Sequence, residues 1–346
     1  MGNTSPHLEM AVPDLLADAN RLAEDGRGLD AIRRLTEANR ARHDGQIEER
    51  LVTLRYEVFP SLPRRSPDEL PPEVVREGTG EPLAPTDPHD LDLATLRREL
   101  AHHGCVLIRG LIPPARAEAL AHGIDRALGA FDDCEASGSE SAPPWFVPFA
   151  PTNAGDFASR RRGWVRASGG LWTADSPRML FELTELVEDT GIAALIEAYF
   201  GERPALSANK CTLRRVPIDT NTNWHQDGAF LGRHVRSLNL WLALSPCGVD
   251  ASGLDIVPQR FDEILATGTE GAYFDWSVSP LVVEDAAGGP DAVLSPEFGP
   301  GDALLFDHMF LHRTGITPGM TKERWAIEAW FFSPSSYPDG QIPLAY

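Results

Sequence analysis

Beyond residue 205 the chain is built of short apolar segments with turn residues between them, and few folds accommodate this pattern. LNLWLAL, DALLF and RWAIEAWFF are examples of these segments, and Gly, Pro, Asn and Asp are frequent between them. Closely spaced short strands with such turns are typical of a β-sandwich or a β-barrel. This part of the chain is therefore predicted to be mainly β.

The first 60 residues show a different pattern, with apolar residues at helical spacing. Leu15, Leu22 and Leu35 belong to such series, and glycines interrupt the series twice. This favours two or three short amphipathic helices packed as hairpins. Residues 1–60 are therefore predicted to form a helical extension.

The remaining boundaries come from changes in composition. Residues 61–92 contain many prolines, which favours an extended connector. Residues 93–346 are predicted to be the main domain, in which helices flank the strands. Within it, residues 132–175 are rich in Gly, Pro, Ser, Arg and Trp and are predicted to be irregular, with residues 140–175 as a lid, because a connection of this length is usually functional or disordered.

The charge of the chain limits its partners. Lys and Arg number 31 against 51 Asp and Glu, so the formal net charge is −20. Such a chain repels phosphate backbones and anionic lipid surfaces, which predicts no nucleic-acid and no membrane partner. No apolar run approaches the roughly 18 residues of a membrane span, and no secretory signal is visible at the N-terminus. A cytoplasmic location is expected.

A candidate metal site lies in the segment NTNWHQDGAF, where His225 and Asp227 are two residues apart. On a strand such residues point to one face, so their nitrogen and oxygen atoms can converge on one ion. His312 supplies a third ligand from a distant strand, which gives the two-histidine, one-carboxylate set of non-haem Fe(II) oxygenases. The spacing alone leaves a second interpretation open, in which His225 lies in a surface loop, Asp227 forms a turn before Gly228 and His312 lies at the end of a strand.

The sequence after His312 indicates a second requirement. Thr314 shares the strand parity of His312, and Arg324 begins an alternating segment that places Arg324 and Glu328 on one face. A buried guanidinium is costly unless it is paired, and the far carboxylate of 2-oxoglutarate is a suitable bidentate partner to which Thr314 adds a hydrogen bond. The alternative is a structural Arg324–Glu328 pair inside the sheet.

Several separated stretches resemble the phytanoyl-CoA dioxygenase (PhyH-like) family of Fe(II)/2-oxoglutarate-dependent oxygenases. They are ELAHHGCVLIRGLIPPARAEAL, WHQDGAF, LNLWLALSPC, SGLDIVPQR and GDALLFDHMFLHRTGITPGMTKERWAI, in the family's order between about residues 93 and 336. The resemblance implies a double-stranded β-helix, that is, a jelly-roll or cupin-like barrel with flanking helices. It also implies Fe(II), 2-oxoglutarate and O2 as cofactors and cosubstrates.

The resemblance assigns roles to particular residues. It implies that His225, Asp227 and His312 ligate iron and that 2-oxoglutarate is held by Arg324, Thr314, Trp241 and Asn209, of which Asn209 matches more loosely and Trp241 also has a plain core interpretation. Halogenating relatives carry a small residue in place of Asp227. Hydroxylation, desaturation or cyclisation is therefore favoured over halogenation.

The substrate is not specified by these motifs. The segment before residue 176 and the residues after Asp227 supply candidate substrate contacts, each of which is equally an ordinary core or surface residue: Trp164, Arg166, Trp172, Asp175 and Phe230. The family includes enzymes of free and of carrier-linked metabolites. The expected function is therefore oxidation of an unactivated C–H bond in a small-molecule or carrier-linked substrate, in a secondary, biosynthetic pathway.

Two other functions use the same features. One is a non-catalytic jelly-roll binding protein, and the other is a Zn-dependent hydrolase with the same three ligands, which leaves Arg324 and Thr314 unexplained.

Residues 1–92 are not needed by the core fold. We consider three roles for them: docking on the barrel, homodimerisation, and binding of a carrier or partner.

Overall fold

The structure, a computed structural model, describes residues 10–78, 81–151, 155–218, 220 and 223–346. Residues 1–9, 79–80 and 152–154, which belong to the predicted extension, connector and lid, lie outside this description. The α-helices are α1 Val12–Glu24, α2 Gly28–Ala41, α3 Gly45–Val58, α4 Leu93–His103, α5 Pro114–Ser137, α6 Gly155–Ala167, α7 Pro177–Asp189, α8 Ile192–Phe200, α9 Gly228–Leu231 and α10 Pro280–Ala287. The strands are β1 Cys105–Ile108, β2 Gly170–Trp172, β3 Ala205–Ser207, β4 Thr212–Val216, β5 Ser237–Ala243, β6 Gly253–Ile256, β7 Ala303–Phe306, β8 His312–Gly315, β9 Arg324–Phe332 and β10 Pro343–Ala345.

Eight of these strands form one antiparallel sheet. Its order is β1-β7-β5-β9-β3-β10, and β4 pairs with both β9 and β2. A second sheet consists of β6 and β8, and single bridges attach His225 to His312 and Leu294 to Ile256. Consecutive strands from β4 to β9 alternate between the two sheets, with the bridged segment Trp224–His225 taking the place of a strand after β4.

This alternation is the winding of a jelly roll, so the predicted fold class, mainly β with flanking helices, is confirmed. Among the described residues no ladder joins the two sheets edge to edge. The molecule is thus a two-sheet jelly roll, as the resemblance implies, without full barrel closure among the described residues.

Both faces of the large sheet are buried. Side chains on its inner face, such as Trp241, Leu304 and Trp330, pack with Leu254 and Ile256 of the small sheet. The outer face is covered by helices, through the cluster that contains Leu240, Leu242, Leu305, Ile327, Ala329 and Phe331 on the strands and Leu100, Ile124, Leu183 and Ile196 on α4, α5, α7 and α8. Because both faces are covered, the sequence of β5 is mostly apolar and does not alternate strictly between polar and apolar residues.

The N-terminal helices pack on the C-terminal strand and on α7. Helices α1 to α3 share a core with Phe181, Ala205 and Ala345. The guanidinium of Arg55 donates to the carbonyl of Ala345 (2.9 Å), and the buried carboxylate of Glu48 pairs with Arg178 (2.6 Å). The structure thus contains the three short helices that the periodicity indicates; the domain boundaries at residues 60 and 92 stay predictions.

The irregular segment predicted over residues 132–175 is partly wrong. Helix α5 continues to Ser137, α6 occupies Gly155–Ala167, and β2 follows it. Helix α6 was missed because its middle is RRRGW: arginine is a good helix former but gives no apolar series to detect. None of the described helices is long and apolar enough to cross a membrane.

Candidate metal centre

The two histidines of the predicted triad face each other across a pair of strand-like segments. The amide of His225 donates to the carbonyl of His312 (3.0 Å), and the amide of His312 donates to the carbonyl of His225 (3.1 Å). Residues paired in this way carry their side chains on one face, and the two imidazole rings lie 4.4 Å apart between centroids. The fold therefore brings together residues that are 87 positions apart in the sequence.

Asp227 reaches the same point by a different route from the predicted one. It is not on a strand; its backbone is already helical (φ −62°, ψ −23°), and α9 begins at the next residue. Its Oδ2 lies 4.0 Å from Nε2 of His225 and 3.8 Å from Nε2 of His312. A sharp turn into a helix, rather than strand alternation, brings the carboxylate to the histidines.

These three groups have the geometry of a metal site. One ligand atom from each of His225, Asp227 and His312 lies within 4.8 Å of the others. Since His and carboxylate ligands bind such ions at about 2.1 Å, two ligand atoms of one ion lie at most about 4.2 Å apart. The two nitrogen–oxygen distances therefore suit a shared ion.

The outer nitrogens of both imidazoles are held by the backbone. Nδ1–H of His225 donates to the carbonyl of Asn223 (2.9 Å), and Nδ1–H of His312 donates to the carbonyl of Phe310 (3.1 Å). Such bonds fix the tautomer in which the lone pair of Nε2 faces the ion. Burial, assisted by the neighbouring His225, lowers the pKa of His312 to about 4, so this ring is neutral and able to bind a metal at neutral pH.

His308 is the histidine most easily mistaken for a ligand, because it shares the strand parity of His312. In the structure both of its ring nitrogens are bonded to protein: Nε2–H donates to the carbonyl of Arg233 (3.0 Å), and Nδ1 accepts from the Ser237 hydroxyl (3.0 Å). This ring therefore braces the turn before β8.

Arg324 lies inside the jelly roll with 1% of its surface exposed. Its Nη1 donates to the carbonyls of Ser252 (3.2 Å) and Gly253 (2.8 Å), and its Nε has no hydrogen-bond partner in the part of the chain that the structure describes. Among the described residues no carboxylate comes within 4.0 Å of this guanidinium. A buried cation with an unused N–H is costly unless a ligand supplies the acceptor, so the pocket suits a carboxylate.

The structural Arg324–Glu328 pair is not the arrangement found. Glu328 accepts a hydrogen bond from the hydroxyl of Thr212 (2.8 Å) and lies 3.9 Å from Nε of Arg214. The carboxylate of Glu328 therefore pairs with Arg214, and the Arg324 guanidinium can still bind the carboxylate of a ligand.

Trp241 lies next to Arg324. The Arg324 guanidinium lies 5.4 Å from the centre of the Trp241 ring, which is 2% exposed and whose Nε1–H has no partner in the described structure. Thr314 lies on β8 opposite Leu254, on the face that carries His312. The contacts of Trp241 and Thr314 with 2-oxoglutarate stay predictions.

Asn209 is bonded to the C-terminal segment. Its Oδ1 accepts from the amide of Ile342 (2.8 Å) and the Ser207 hydroxyl (3.1 Å), and its Nδ2 donates to Gln341 (2.7 Å). These bonds anchor the end of the chain beside β3. The contact of Asn209 with 2-oxoglutarate stays a prediction.

The predicted substrate contacts have diverse surroundings. Phe230 lies beside the metal site, its ring stacked on that of His225 at 6.4 Å.

The other predicted substrate contacts lie among other partners. Trp172 is buried under the guanidinium of Arg162 (4.2 Å), which pairs with the buried Asp175 (2.7 Å). Arg166 pairs with Asp132 (2.6 Å), and 61% of Trp164 is exposed. Only Phe230 touches a predicted ligand; the substrate roles of all five stay predictions.

Two neighbours of the metal site were not predicted from the sequence. The ammonium of Lys210 lies 3.8 Å from Oδ1 of Asp227 and 3.8 Å from the centre of the Phe230 ring, and burial lowers its pKa to about 8. Trp276 packs edge-on against His225 (5.6 Å) and Phe230 (5.9 Å). Both come from distant segments with no local motif. Only the position of Lys210 beside Asn209 could have directed attention to it.

A buried ion pair supports the turn that carries His312. Asp307 pairs with Arg260, which also donates to the carbonyl of Val74 (3.2 Å), and Oδ1 of Asp307 accepts from the amide of Met309 (2.9 Å). Asp307→Asn leaves the buried guanidinium with only the half-exposed carboxylate of Asp262 (3.6 Å) as counter-charge, and we expect a loss of about 3 kcal/mol in the free energy of unfolding, measured by urea denaturation.

The matched control is Asp250→Asn. Asp250 pairs with Lys322 at 2.8 Å, but both side chains are at least 60% exposed. A surface pair of this kind contributes at most about 1 kcal/mol. An equal loss of unfolding free energy in the two variants would show that burial of the Asp307–Arg260 pair does not increase its contribution to stability.

A jelly-roll scaffold on which two histidines and one carboxylate converge fits the non-haem iron oxygenases of the two-histidine, one-carboxylate type. The sequence model of the phytanoyl-CoA dioxygenase (PhyH) family matches residues 100–319, nearly two thirds of the chain. The chain belongs to this family and is a 2-oxoglutarate-dependent non-haem iron oxygenase. The expected cofactor set, Fe(II), 2-oxoglutarate and O2, is thereby confirmed, and the residues present fit it.

Solved structures give weaker similarities. EctD from S. alaskensis, crystallised with 2-oxoglutarate and 5-hydroxyectoine, is 15% identical, with 80% of this chain and 88% of that chain covered and a TM-score of 0.48. AviO1 from Streptomyces viridochromogenes Tue57 is 18% identical (72% and 98% covered, TM-score 0.43). SnoK, a non-haem α-ketoglutarate-dependent carbocyclase from nogalamycin biosynthesis, is 15% identical (72% and 87% covered, TM-score 0.45). A comparison with curated proteins gave no match.

Proposed function

We propose that this enzyme oxidises an unactivated C–H bond of a small-molecule or carrier-linked substrate, with iron held by His225, Asp227 and His312. The observation that supports this most directly is the convergence of these three ligands in a jelly roll that also holds a buried guanidinium, whose Nε–H has no partner among the described residues. The first feature suits a redox metal with open positions, and the second suits a cosubstrate with a carboxylate far from the metal.

In this proposal each residue has a defined task. The backbone-held imidazoles of His225 and His312 present Nε2, and Asp227 presents Oδ2, so these three side chains would hold Fe(II). Arg324 would bind the far carboxylate of 2-oxoglutarate through its guanidinium, whose Nε–H has no partner among the described residues, with Thr314 as a further donor and Trp241 as a neighbour. Iron, when bound, supplies the oxidising chemistry, while the chain orients the reactants and excludes water.

The two alternative functions account for less of the site. A binding protein does not require three converging ligands with fixed tautomers. A zinc hydrolase uses the ligands but gives no role to a buried guanidinium on the inner face. The biosynthetic role, the cytoplasmic location, and docking or homodimerisation through the N-terminal helices remain predictions from the sequence.

Metal and cosubstrate dependence tests the proposal. Protein freed of metal and reloaded with Fe(II) is expected to release succinate from 2-oxoglutarate in air, faster when a substrate from a panel of amino acids, acyl carriers and glycosides is present. Reloading with Zn(II) is expected to give none, because Zn(II) has no redox chemistry. The measurements are succinate release and O2 consumption.

A matched cosubstrate analogue tests the role of the pocket. 2-Oxobutyrate has the metal-binding 2-oxo acid but lacks the far carboxylate that Arg324 is proposed to bind, so we expect no turnover with it. Substrate hydrolysis by the Zn(II) form, or failure of the Fe(II) form to release succinate under any condition, would contradict the proposed function.

A further inference from the structure

Lys210 introduces a positive charge directly beside the metal ligands. It lies in the turn between β3 and β4, and its ammonium approaches Oδ1 of Asp227, the oxygen turned away from the histidines, at 3.8 Å. The side chain is 17% exposed, so it reaches into the site rather than into solvent. Arg324 contacts Ser252, Gly253 and Trp241, whereas Lys210 contacts Asp227 and Phe230. The two cations therefore have separate surroundings.

The formal charges around the site leave Lys210 unbalanced. A divalent ion, one carboxylate ligand, doubly charged 2-oxoglutarate and the Arg324 guanidinium sum to zero. Glu328 also acts on Lys210, but it lies against Arg214 and so belongs to a neutral pair. Lys210 therefore adds one positive charge to a loaded site that is otherwise neutral, although the chain as a whole is strongly acidic.

An aromatic wall lies next to Lys210. Phe230 presents its ring face to the ammonium at 3.8 Å, and Trp276 packs edge-on against Phe230. Phe274 stacks on Trp276 (4.9 Å), and Tyr273, which is 70% exposed, contacts Phe274 (4.6 Å). The wall thus runs from the metal ligands to the surface and offers an apolar body a place to pack.

From this juxtaposition we propose that the substrate carries an oxyanion, a carboxylate or a phosphate, which Lys210 binds while the apolar part of the substrate packs on Phe230 and Trp276. This specificity rests on the proposed function, since it describes the substrate side of the same metal site. A lysine ammonium is a compact point charge that accepts either kind of oxyanion.

The test uses full-length protein loaded with Mn(II) and saturating 2-oxoglutarate. Phenylacetate and phenyl phosphate are the anionic probes, and phenylacetamide is the neutral counterpart of phenylacetate; dissociation constants come from the paramagnetic relaxation of the probes' proton signals. We expect wild type to bind at least one anion about tenfold more tightly than the amide. Which anion is favoured distinguishes a carboxylate from a phosphate substrate.

Variants assign the preference to Lys210. Lys210→Gln is expected to bind anion and amide equally, and Lys210→Arg to retain most of the preference. Lys322→Gln, which removes an exposed lysine paired with Asp250, is expected to behave as wild type.

Three results would overturn the inference: no preference in wild type, including no binding of any probe; a preference that survives in Lys210→Gln, which would mean direct ligation of the anion to the metal; or a weaker affinity for 2-oxoglutarate in Lys210→Gln, which would assign the lysine to the cosubstrate. Failure of the proposed function itself would show differently, as a loss of Mn(II) and 2-oxoglutarate binding in wild type.

Discussion

Replacing Arg324 by methionine is expected to raise the 2-oxoglutarate concentration needed for half-maximal succinate release by about 100-fold or more. Removing one partner of a buried, hydrogen-bonded charge pair costs about 2–5 kcal/mol of binding free energy, and each 1.4 kcal/mol is a factor of about ten. Methionine keeps much of the length and apolar contact of the arginine. The change therefore removes the charge and the donors at the position where the structure shows an unused N–H.

Two further variants separate recognition from general damage. Arg324→Lys keeps the charge but loses the planar fork, so an intermediate affinity is expected. Arg215→Met removes an exposed arginine of β4 that pairs with Glu323 (2.6 Å), and it is expected to leave the affinity for 2-oxoglutarate within about twofold of wild type. An unchanged affinity in a folded Arg324→Met protein would place the cosubstrate elsewhere. Direct titration of 2-oxoglutarate and the melting temperature are the measurements.

Alanine at His312 is expected to abolish Fe(II)-dependent succinate release and to weaken metal binding by more than about 100-fold. The substitution removes one of three ligand atoms, and losing even an outer partner of a metal ligand costs about 10–100-fold in affinity or activity. Calorimetric titration with Mn(II) under anaerobic conditions measures the affinity. The backbone pairing of residue 312 with His225 needs no side chain and is expected to persist.

His308→Gln is the matched comparison. This histidine is also buried, four residues earlier, but the protein occupies both of its ring nitrogens. We expect the variant to lose stability because of the broken hydrogen bonds, about 1 kcal/mol each, and to keep its metal affinity. A normal metal affinity in His312→Ala, with a lost affinity in His308→Gln, would exchange the roles of the two residues.

The strand pattern could be predicted because burial repeats every second residue. On β9 the structure places Ala326 and Trp330 on the inner face and Ile327, Ala329 and Phe331 against the helices, as the alternation indicates. The same parity places Arg324 on the inner face, and its guanidinium lies 5.4 Å from the ring of Trp241 on that face. The alternation of faces along one strand depends only on neighbouring residues, so it can be predicted from the sequence.

Features that depend on the approach of distant segments could not be predicted. Asp227 was assigned to a strand, and nothing in WHQDG shows that the backbone turns into α9 at that residue. The contact of Trp276 with His225 joins positions 51 residues apart, and no periodic pattern encodes such a distance. Helix α6 went undetected because its arginines favour a helix without marking a buried face.

The proposed iron ligands come from segments with very different support. His312 begins a strand paired along its length with β6, whereas His225 is joined to its neighbour by a single bridge and Asp227 precedes a helix of only four residues. The free energy of local opening differs between such segments, and a ligand that bridges them adds its binding energy to the weaker one. A bound ion would thus link Asp227 to β8 in addition to the hydrogen bonds of the neighbouring Gln226 with Met309 and Leu265.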